Sequence, residues 1–158
     1  MELDTETFEL IFQEAYSHCR WKKVFIRFLK GAKLEEKLEY YKNMSFGEIF
    51  NHIYSLLENT RGLGVLVAYD IAAGICKHHS IVIDKVYIMG NGPKRAAKIL
   101  GLKLKSQLGL RYVEIVEVIE AFDKHRFVMD DYMRANKDGD ALESYLCKWQ
   151  SKVRTGCF

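Results

Sequence analysis

The sequence predicts an all-α, or mainly α, fold in a single domain that spans residues 1–158. Two observations lead to this prediction. Apolar residues recur at intervals of three and four in several segments, which is the period of an amphipathic helix. The chain also contains only one proline, Pro93, and no Pro/Gly/Ser-rich linker or low-complexity run that would divide it.

The N-terminal half reads as a series of helices separated by short breaks. Ser45 and Glu48 form a capping-box signature, and Ile49 and Ile53 begin the apolar repeat that follows. The predicted elements are, in chain order, one or two helices within 5–30 that end at Gly31, a short helix or turn at 34–42, a helix at about 46–59, and a helix over 65–77.

The C-terminal half contains three further predicted helices and one exception. Residues 80–89 are rich in β-branched side chains and favour a strand. Asp138, Gly139 and Asp140 give a turn and an N-cap for the last helix. The predicted helices are 93–104, 112–122 and 141–152. Segment 112–122 is assigned to a helix because its length exceeds that of a usual strand.

The charge distribution is more informative than the net charge of +3. Two segments are strongly basic, and lysine and arginine supply most nonspecific nucleic-acid affinity through phosphate contacts. The alternative interpretation is that both are solvated helix faces. The basic residues are Arg20, Lys22, Lys23, Arg27, Lys30 and Lys33 in the first segment, and Lys85, Lys94, Arg95, Lys98, Lys103, Lys105 and Arg111 in the second.

The segment RGLGVLVAYDIAAGI, residues 61–75, resembles the helix-hairpin-helix motif of the DNA glycosylase superfamily. Gly62, Leu63, Gly64, Ala68 and Ile71 fill the positions of the motif. The glycines allow a tight turn and the close approach of a phosphate, whose charge is met by N–H groups at the next helix N-terminus. The resemblance implies a helix-hairpin-helix glycosylase-like helical domain, with its core at about 46–100, that binds DNA through this turn. A looser resemblance is to helical domains found with thymine-hypermodifying enzymes of phages.

The resemblance extends to a candidate catalytic residue. Counting without a gap from the hairpin brings the catalytic aspartate of the family onto Asp84. Its carboxylate would stabilise the cationic sugar as the glycosidic bond breaks, or orient the attacking water. Leu66 stands where bifunctional members have a lysine, and Val86 where the family has a histidine, so the implied activity is lysine-independent. A base expelled from the stack would need a pocket, for which the candidate residues are Tyr69, Tyr87 and Trp21.

A second Gly-x-Gly turn, at residues 90–92, permits two interpretations. A strand followed by this turn and a helix would resemble a dinucleotide-binding turn. The other interpretation is a second phosphate-binding turn, because the segment also satisfies the hairpin pattern through Ala96 and Ile99. The DNA-binding candidates of this region are Gly90, Asn91, Gly92, Lys94, Arg95 and Lys98.

The sequence therefore predicts a DNA-binding protein without a cofactor, and the enzymatic version of this prediction is a lysine-independent, glycosylase-like activity. The rival is a noncatalytic DNA-binding or protein-interaction module in which Asp84 is structural, and a nucleotide-binding protein comes third. Neither Cys76 with His78 and His79 nor the spacing of the cysteines indicates a metal site or a disulfide framework. No apolar run or signal peptide is evident, so a cytoplasmic protein is expected, or a nuclear one in a eukaryote, without a membrane partner. The cysteines are Cys19, Cys76, Cys147 and Cys157.

Overall fold

The computed structural model describes residues 5–155, with no side-chain description at Thr155. Its contacts divide the chain into two compact units. Unit 1 extends to Ile81, and unit 2 begins at Val82. The predicted core of residues 46–100 is thus shared between them, and its organisation as one domain stays a prediction.

Unit 1 consists of helices. Its core is built from apolar side chains that alternate with polar ones at helical spacing, as in α3, which buries Phe25, Phe28 and Leu29 on one face. The elements are α1 (Thr5–Thr7), a π-helical turn (Phe8–Phe12), α2 (Gln13–His18), α3 (Lys22–Ala32), a 3₁₀ helix (Leu34–Tyr41), α4 (Phe46–Leu57) and α5 (Val65–His78).

Helices α4 and α5 form the central pair of unit 1. The Ser45 side chain accepts a hydrogen bond from the Glu48 N–H at 3.2 Å, which confirms the predicted cap of α4. Ala68 and Ala72 are fully buried on α5, so the small side chains let neighbouring helices approach closely. Gly74 has the same function, because an added Cβ would meet the Ile11 carbonyl oxygen of the π-helical turn.

Unit 2 combines helices with a small sheet. Its core contains Val86 and Val113 from the sheet together with Phe122, Leu146 and Trp149 from the helices. The elements are β1 (Lys85–Tyr87), α6 (Asn91–Leu100), β2 (Lys105–Gln107), β3 (Leu110–Glu114), α7 (Ile115–Lys124), α8 (Asp131–Ala135) and α9 (Gly139–Thr155).

The sheet is antiparallel, with strand order β1-β3-β2. Lys85 pairs with Glu114 between β1 and β3, and Gln107 pairs with Leu110 between β2 and β3. The two-residue turn between β2 and β3 places Leu108 at φ 60° and Gly109 at φ 73°. Positive φ at both central residues is the geometry that matches the twist of a tight hairpin.

Several predicted elements have different bounds in the structure. The helix predicted over 93–104 ends at Leu100, because Gly101 is its C-cap with φ 66°. The predicted helix over 112–122 was wrong at its start, because its first three residues belong to β3 and the helix begins at Ile115. Glu114 ends the strand as the N-cap of α7 and forms a capping box with Glu117. The strand predicted within 80–89 is confined to the three residues of β1, which pair in register with β3, and the Ile88 N–H adds one further hydrogen bond to the Arg111 carbonyl oxygen at 2.8 Å.

The prediction of a mainly α-helical chain is confirmed at this level. Within residues 5–155, no helix combines the length and the apolar composition that crossing a bilayer would require.

Candidate nucleic-acid interface

The predicted hairpin turn joins α4 to α5 in unit 1. Gly62 has φ +95°, a conformation that favours glycine, and Leu63 is buried beneath the turn. Gly64 is the extended N-cap of α5, and the first intrahelical hydrogen bond runs from the Ala68 N–H to its carbonyl oxygen at 3.1 Å. The N–H groups before Ala68 therefore have no acceptor within α5, which suits the start of the helix to bind an anion.

Trp21 packs directly against this turn. An added Cβ at Gly62 would lie 2.9 Å from Trp21 Cδ1, so only glycine leaves room for the indole. The Trp21 side chain is nevertheless 52% exposed, and the Arg20 guanidinium lies 5.5 Å from its ring centroid. A cation over an indole face is a favourable contact. The turn, the indole and the guanidinium thus form one exposed surface.

Helix α3 extends this surface with positive charge. It begins immediately after Trp21, which is its N-cap residue. Lys23, Arg27 and Lys30 are exposed at intervals of four and three residues, so they share one face of the helix. Lys22 has a different role, because its Nζ donates to the carbonyl oxygens of Tyr16 and Cys19, at 2.9 and 2.8 Å. We call Arg20, Trp21, Lys23, Arg27, Lys30 and the turn 62–64 the hairpin surface.

The other two predicted base-pocket residues are buried. Tyr69 lies in the core of unit 1, where its ring meets Phe46 edge to face with centroids 5.6 Å apart. Tyr87 lies in β1 beside Tyr112, with ring centroids 6.1 Å apart. Burial, followed by the nearby Asp84 charge, raises the pKa of Tyr87 to about 12. A base could therefore stack on either ring only after local rearrangement, whereas Trp21 already offers an accessible ring.

Asp84 lies in unit 2, just before β1, and its side chain is 81% exposed. Its carboxylate is 3.6 Å from the Lys85 Nζ, an ion pair that agrees with the alternative of a structural role for Asp84. The residue before it is held in place: the Ile83 N–H donates to Asp138 Oδ1 at 3.2 Å, and the Ile83 carbonyl accepts from the Gly139 N–H at 2.6 Å. The structure thus presents an exposed carboxylate on a well-anchored backbone.

The second Gly-x-Gly turn also lies in unit 2, between β1 and α6. Gly90 is the N-cap residue with φ 76°, and Gly92 packs so closely on α9 that an added Cβ would lie 2.5 Å from Cys147 Sγ. A strand precedes this turn, so the segment is locally strand–turn–helix and not a second helix-hairpin-helix. The described strands are all antiparallel, however, and lack the parallel pairing on which a dinucleotide-binding sheet is built.

The basic side chains of unit 2 differ in their surroundings. Lys94, Arg95 and Lys98 are exposed with Asn91 on one face of α6, available to an anion. Lys105 is neutralised by Glu117, whose carboxylate lies 2.8 Å from its Nζ. This hydrogen bond lowers the pKa of Glu117 and raises that of Lys105.

Cys76, His78 and His79 lie at the C-terminal end of α5, where the ring centroids of the two histidines are 4.7 Å apart. Cys76 is buried, and His79 Nε2 lies 2.7 Å from the Leu38 carbonyl oxygen. Among residues 5–155 no group of three or more His, Cys, Asp or Glu side chains is placed to hold a metal ion. Within residues 5–155, Cys19, Cys76 and Cys147 take part in no disulfide, and Cys157 lies outside the described residues.

The structure thus brings Trp21 together with Gly62, Leu63 and Gly64 in unit 1, and places Asp84 and the second turn in unit 2. The sequence grouped Arg20 with other basic residues but did not predict its position over Trp21, although a cation beside an aromatic residue is a usable signal. Comparison of the chain with protein-family models, with curated proteins and with solved structures found no match.

Proposed function

We propose that this protein binds DNA through the hairpin surface of unit 1. The observation that carries the proposal is the exposed Trp21 indole, which packs on Gly62 and supports the Arg20 guanidinium. Indole faces stack on unpaired bases, and arginine pairs with phosphates. An exposed tryptophan is costly to solubility, so an indole held in this position favours a use in binding.

The charge of the surrounding chain supports the same partner. From Ala15 to Leu34 there is no acidic residue, whereas the segment contains six lysines and arginines. Three of them lie on the exposed face of α3. A surface of one sign attracts a polyanion and binds it with an affinity that falls as salt rises.

The geometry of the turn agrees with the helix-hairpin-helix resemblance. Three features support it: the glycine turn lies between two helices, α4 and α5, Leu63 is buried in the turn, and Ala68 is buried on α5. We therefore propose a helix-hairpin-helix fold related to the DNA glycosylases, in which phosphate binds at the start of α5. Lys94, Arg95 and Lys98 on α6, with the turn 90–92, supply a further contact to the same class of ligand.

Replacing Trp21 with alanine tests this proposal. Fluorescence anisotropy with labelled single-stranded and duplex oligonucleotides would measure affinity, and thermal melting would measure folding. Loss of one stacked base costs about 1–3 kcal/mol, so single-strand affinity should fall at least about fivefold. The matched control is Tyr132→Ala, which removes a 73% exposed aromatic side chain from α8. Equal affinities of the two variants would contradict a binding role for Trp21.

A second candidate function is lysine-independent base release, with Asp84 as its catalytic carboxylate. It is favoured by the anchored backbone before Asp84 and by the ungapped spacing from the hairpin. In the free protein this carboxylate is solvated, so bound DNA would have to exclude water from it before it could stabilise a sugar cation.

Base release can be measured with DNA that contains uracil, oxidised bases or modified thymine. Asp84→Asn should abolish release while DNA affinity is retained, because the amide keeps the shape but loses the charge. Unchanged release in this variant would exclude Asp84. Binding without release from any of these substrates would favour the noncatalytic module, and absence of DNA binding would favour a nucleotide or a protein partner.

A further inference from the structure

Two exposed apolar side chains at the start of α5 adjoin the hairpin surface. Val65 is 42% exposed and Leu66 is 39% exposed, whereas the other apolar side chains of α5 are buried. Both residues follow the turn 62–64 directly, so they lie at most about 11 and 14 Å along the chain from Gly62, where Trp21 packs. With the indole, three exposed apolar side chains therefore lie close to this turn.

The packing of unit 1 does not account for this exposed pair. Leu63 before the pair and Val67 after it are 6% and 9% exposed, so they supply the buried contacts of this segment. A lone exposed apolar side chain is common on protein surfaces, whereas several neighbouring ones indicate a binding surface. Val65 and Leu66 therefore extend the hairpin surface with apolar area that a ligand can cover.

The charges around this apolar area indicate the class of ligand. From Asn59 to Tyr69 the chain has no acidic residue, and Arg61 is exposed within this stretch. The Arg20 guanidinium lies 5.5 Å from the Trp21 ring centroid. Charged residues are depleted at the centre of protein–protein interfaces, whereas nucleic acids combine phosphates with flat, apolar base faces. Apolar side chains among cations are thus complementary to a nucleic acid.

Paired and unpaired DNA differ in what they offer to such a surface. In a duplex the base faces are stacked on one another, and the grooves present only the base edges. In a single strand the faces are accessible, and they stack on aromatic side chains and on guanidinium planes with little dependence on sequence. Both strand types supply phosphates, but only an unpaired strand supplies the apolar faces that would cover Val65 and Leu66.

We propose that the hairpin surface, together with Val65 and Leu66, binds single-stranded DNA in preference to duplex DNA. This inference rests on the proposed DNA binding and specifies the form of the DNA. One base stacks on Trp21, the next nucleotide covers the apolar pair, and the phosphates contact the exposed cations of α3. Duplex DNA binds through the phosphate contacts alone, and hence more weakly.

The first experiment compares three labelled probes with the full, unmodified chain: a single strand, the same strand annealed to its complement, and an abasic single strand of equal length. Anisotropy is measured at about 200 mM salt, where phosphate contacts contribute less. The ordinary single strand should bind at least about tenfold more tightly than either other probe, because only this strand offers base faces for stacking. Equal binding of the ordinary and abasic strands would overturn the inference, because the abasic strand has the phosphates without the bases.

The second experiment changes the apolar pair. Val65→Thr combined with Leu66→Gln replaces three methyl groups by polar groups on exposed side chains. Single-strand affinity should fall about tenfold, the effect of losing three partly buried methyl contacts, whereas duplex affinity should change by less than about twofold. The matched control is Leu10→Gln combined with Val116→Thr, which changes two exposed side chains, at 64% and 57%, outside the hairpin surface. Thermal melting of both variants checks that they fold.

The outcomes separate this inference from the proposed function. If the unmodified protein binds duplex as tightly as single strand, or if the Val65/Leu66 variant binds single strand like its control, the preference is overturned while DNA binding stands. If neither form of DNA binds, the proposed function is overturned, and this inference with it. Binding to phosphatidylserine vesicles in place of DNA would overturn both as well, and would assign the apolar pair to a lipid surface.

Discussion

Substitution of Gly64 distinguishes most clearly between a turn that binds DNA and a turn with a structural role alone. It is the N-cap of α5 with φ −126°, an extended conformation open to any residue, and an added Cβ would meet nothing within 4 Å. Gly64→Asp should therefore fold. Asp is a better N-cap than glycine by a few tenths of a kcal/mol, and its charge suits the helix dipole.

The same substitution should weaken DNA binding. An N-cap carboxylate and a bound phosphate would compete for the same N–H groups and lie about 6 Å apart. Coulomb repulsion at that distance is about 0.7 kcal/mol in water and about 3 kcal/mol at an effective dielectric constant of 20. Affinity should fall roughly 3- to 100-fold. Gly64→Ser is the matched control, because it caps the helix without adding charge.

The assay is anisotropy with a labelled duplex at low salt, with thermal melting of each variant. The expected result is a melting temperature of Gly64→Asp equal to or above that of the unmodified protein, with the affinity loss confined to this variant. Equal affinities of the Asp and Ser variants would refute phosphate binding at the start of α5. Gly62 is a poorer probe, since its positive φ and its contact with Trp21 couple binding to folding.

Two further predictions concern stability. Tyr41 Oη is buried with no hydrogen-bond partner among residues 5–155, and burial raises its pKa to about 12. Tyr41→Phe should leave stability to urea at pH 7 unchanged or raise it by about 1 kcal/mol. Between about pH 10 and 12 the Tyr41 phenol ionises in the unfolded chain but not in the folded one, so the unmodified protein loses stability in this range. Tyr41→Phe should lose less stability there. The same loss in Tyr41→Phe as in a Tyr54→Phe control would contradict this. In Gly139→Ala the added Cβ would meet the Lys85 carbonyl oxygen, so the free energy of unfolding measured in urea should fall by about 3 kcal/mol. Gly31→Ala is the control, because its added Cβ meets nothing within 4 Å. If Gly139→Ala were as stable as this control, the close packing at Gly139 would be disproved.

The features of this fold that depend on neighbouring residues can be predicted well from the sequence. The Ser45 cap, the break at the first Gly-x-Gly turn and the start of α5 depend on neighbouring residues, and the structure has all of them. The β2–β3 hairpin was not predicted, because Leu108 in the turn is an uncommon residue at positive φ. The prediction of a helix over 112–122 was wrong at its start, because residues 112–114 pair with β1 in the sheet. This pairing is a tertiary contact, which overrides the local preference.

The candidate site was predictable only in part, for the same reason. The turn 62–64 and the basic residues are visible in the sequence. The contact of Trp21 with Gly62 joins residues far apart in the chain, and no local pattern indicates it. Tyr69 and Tyr87 were predicted as pocket residues, but both side chains are buried in the core. An aromatic residue near a motif can belong to either a core or a pocket, and the sequence does not distinguish the two.

The central claim, that the hairpin surface binds DNA, is tested most directly by the salt dependence of duplex binding. If Lys23, Arg27 and Lys30 each contact one phosphate, affinity should fall about 40-fold between 50 and 200 mM salt. Replacing Arg27 with alanine should reduce the slope of log affinity against log salt by about one. Binding that does not depend on salt, a slope unchanged in Arg27→Ala, or no binding at 50 mM salt would contradict the account.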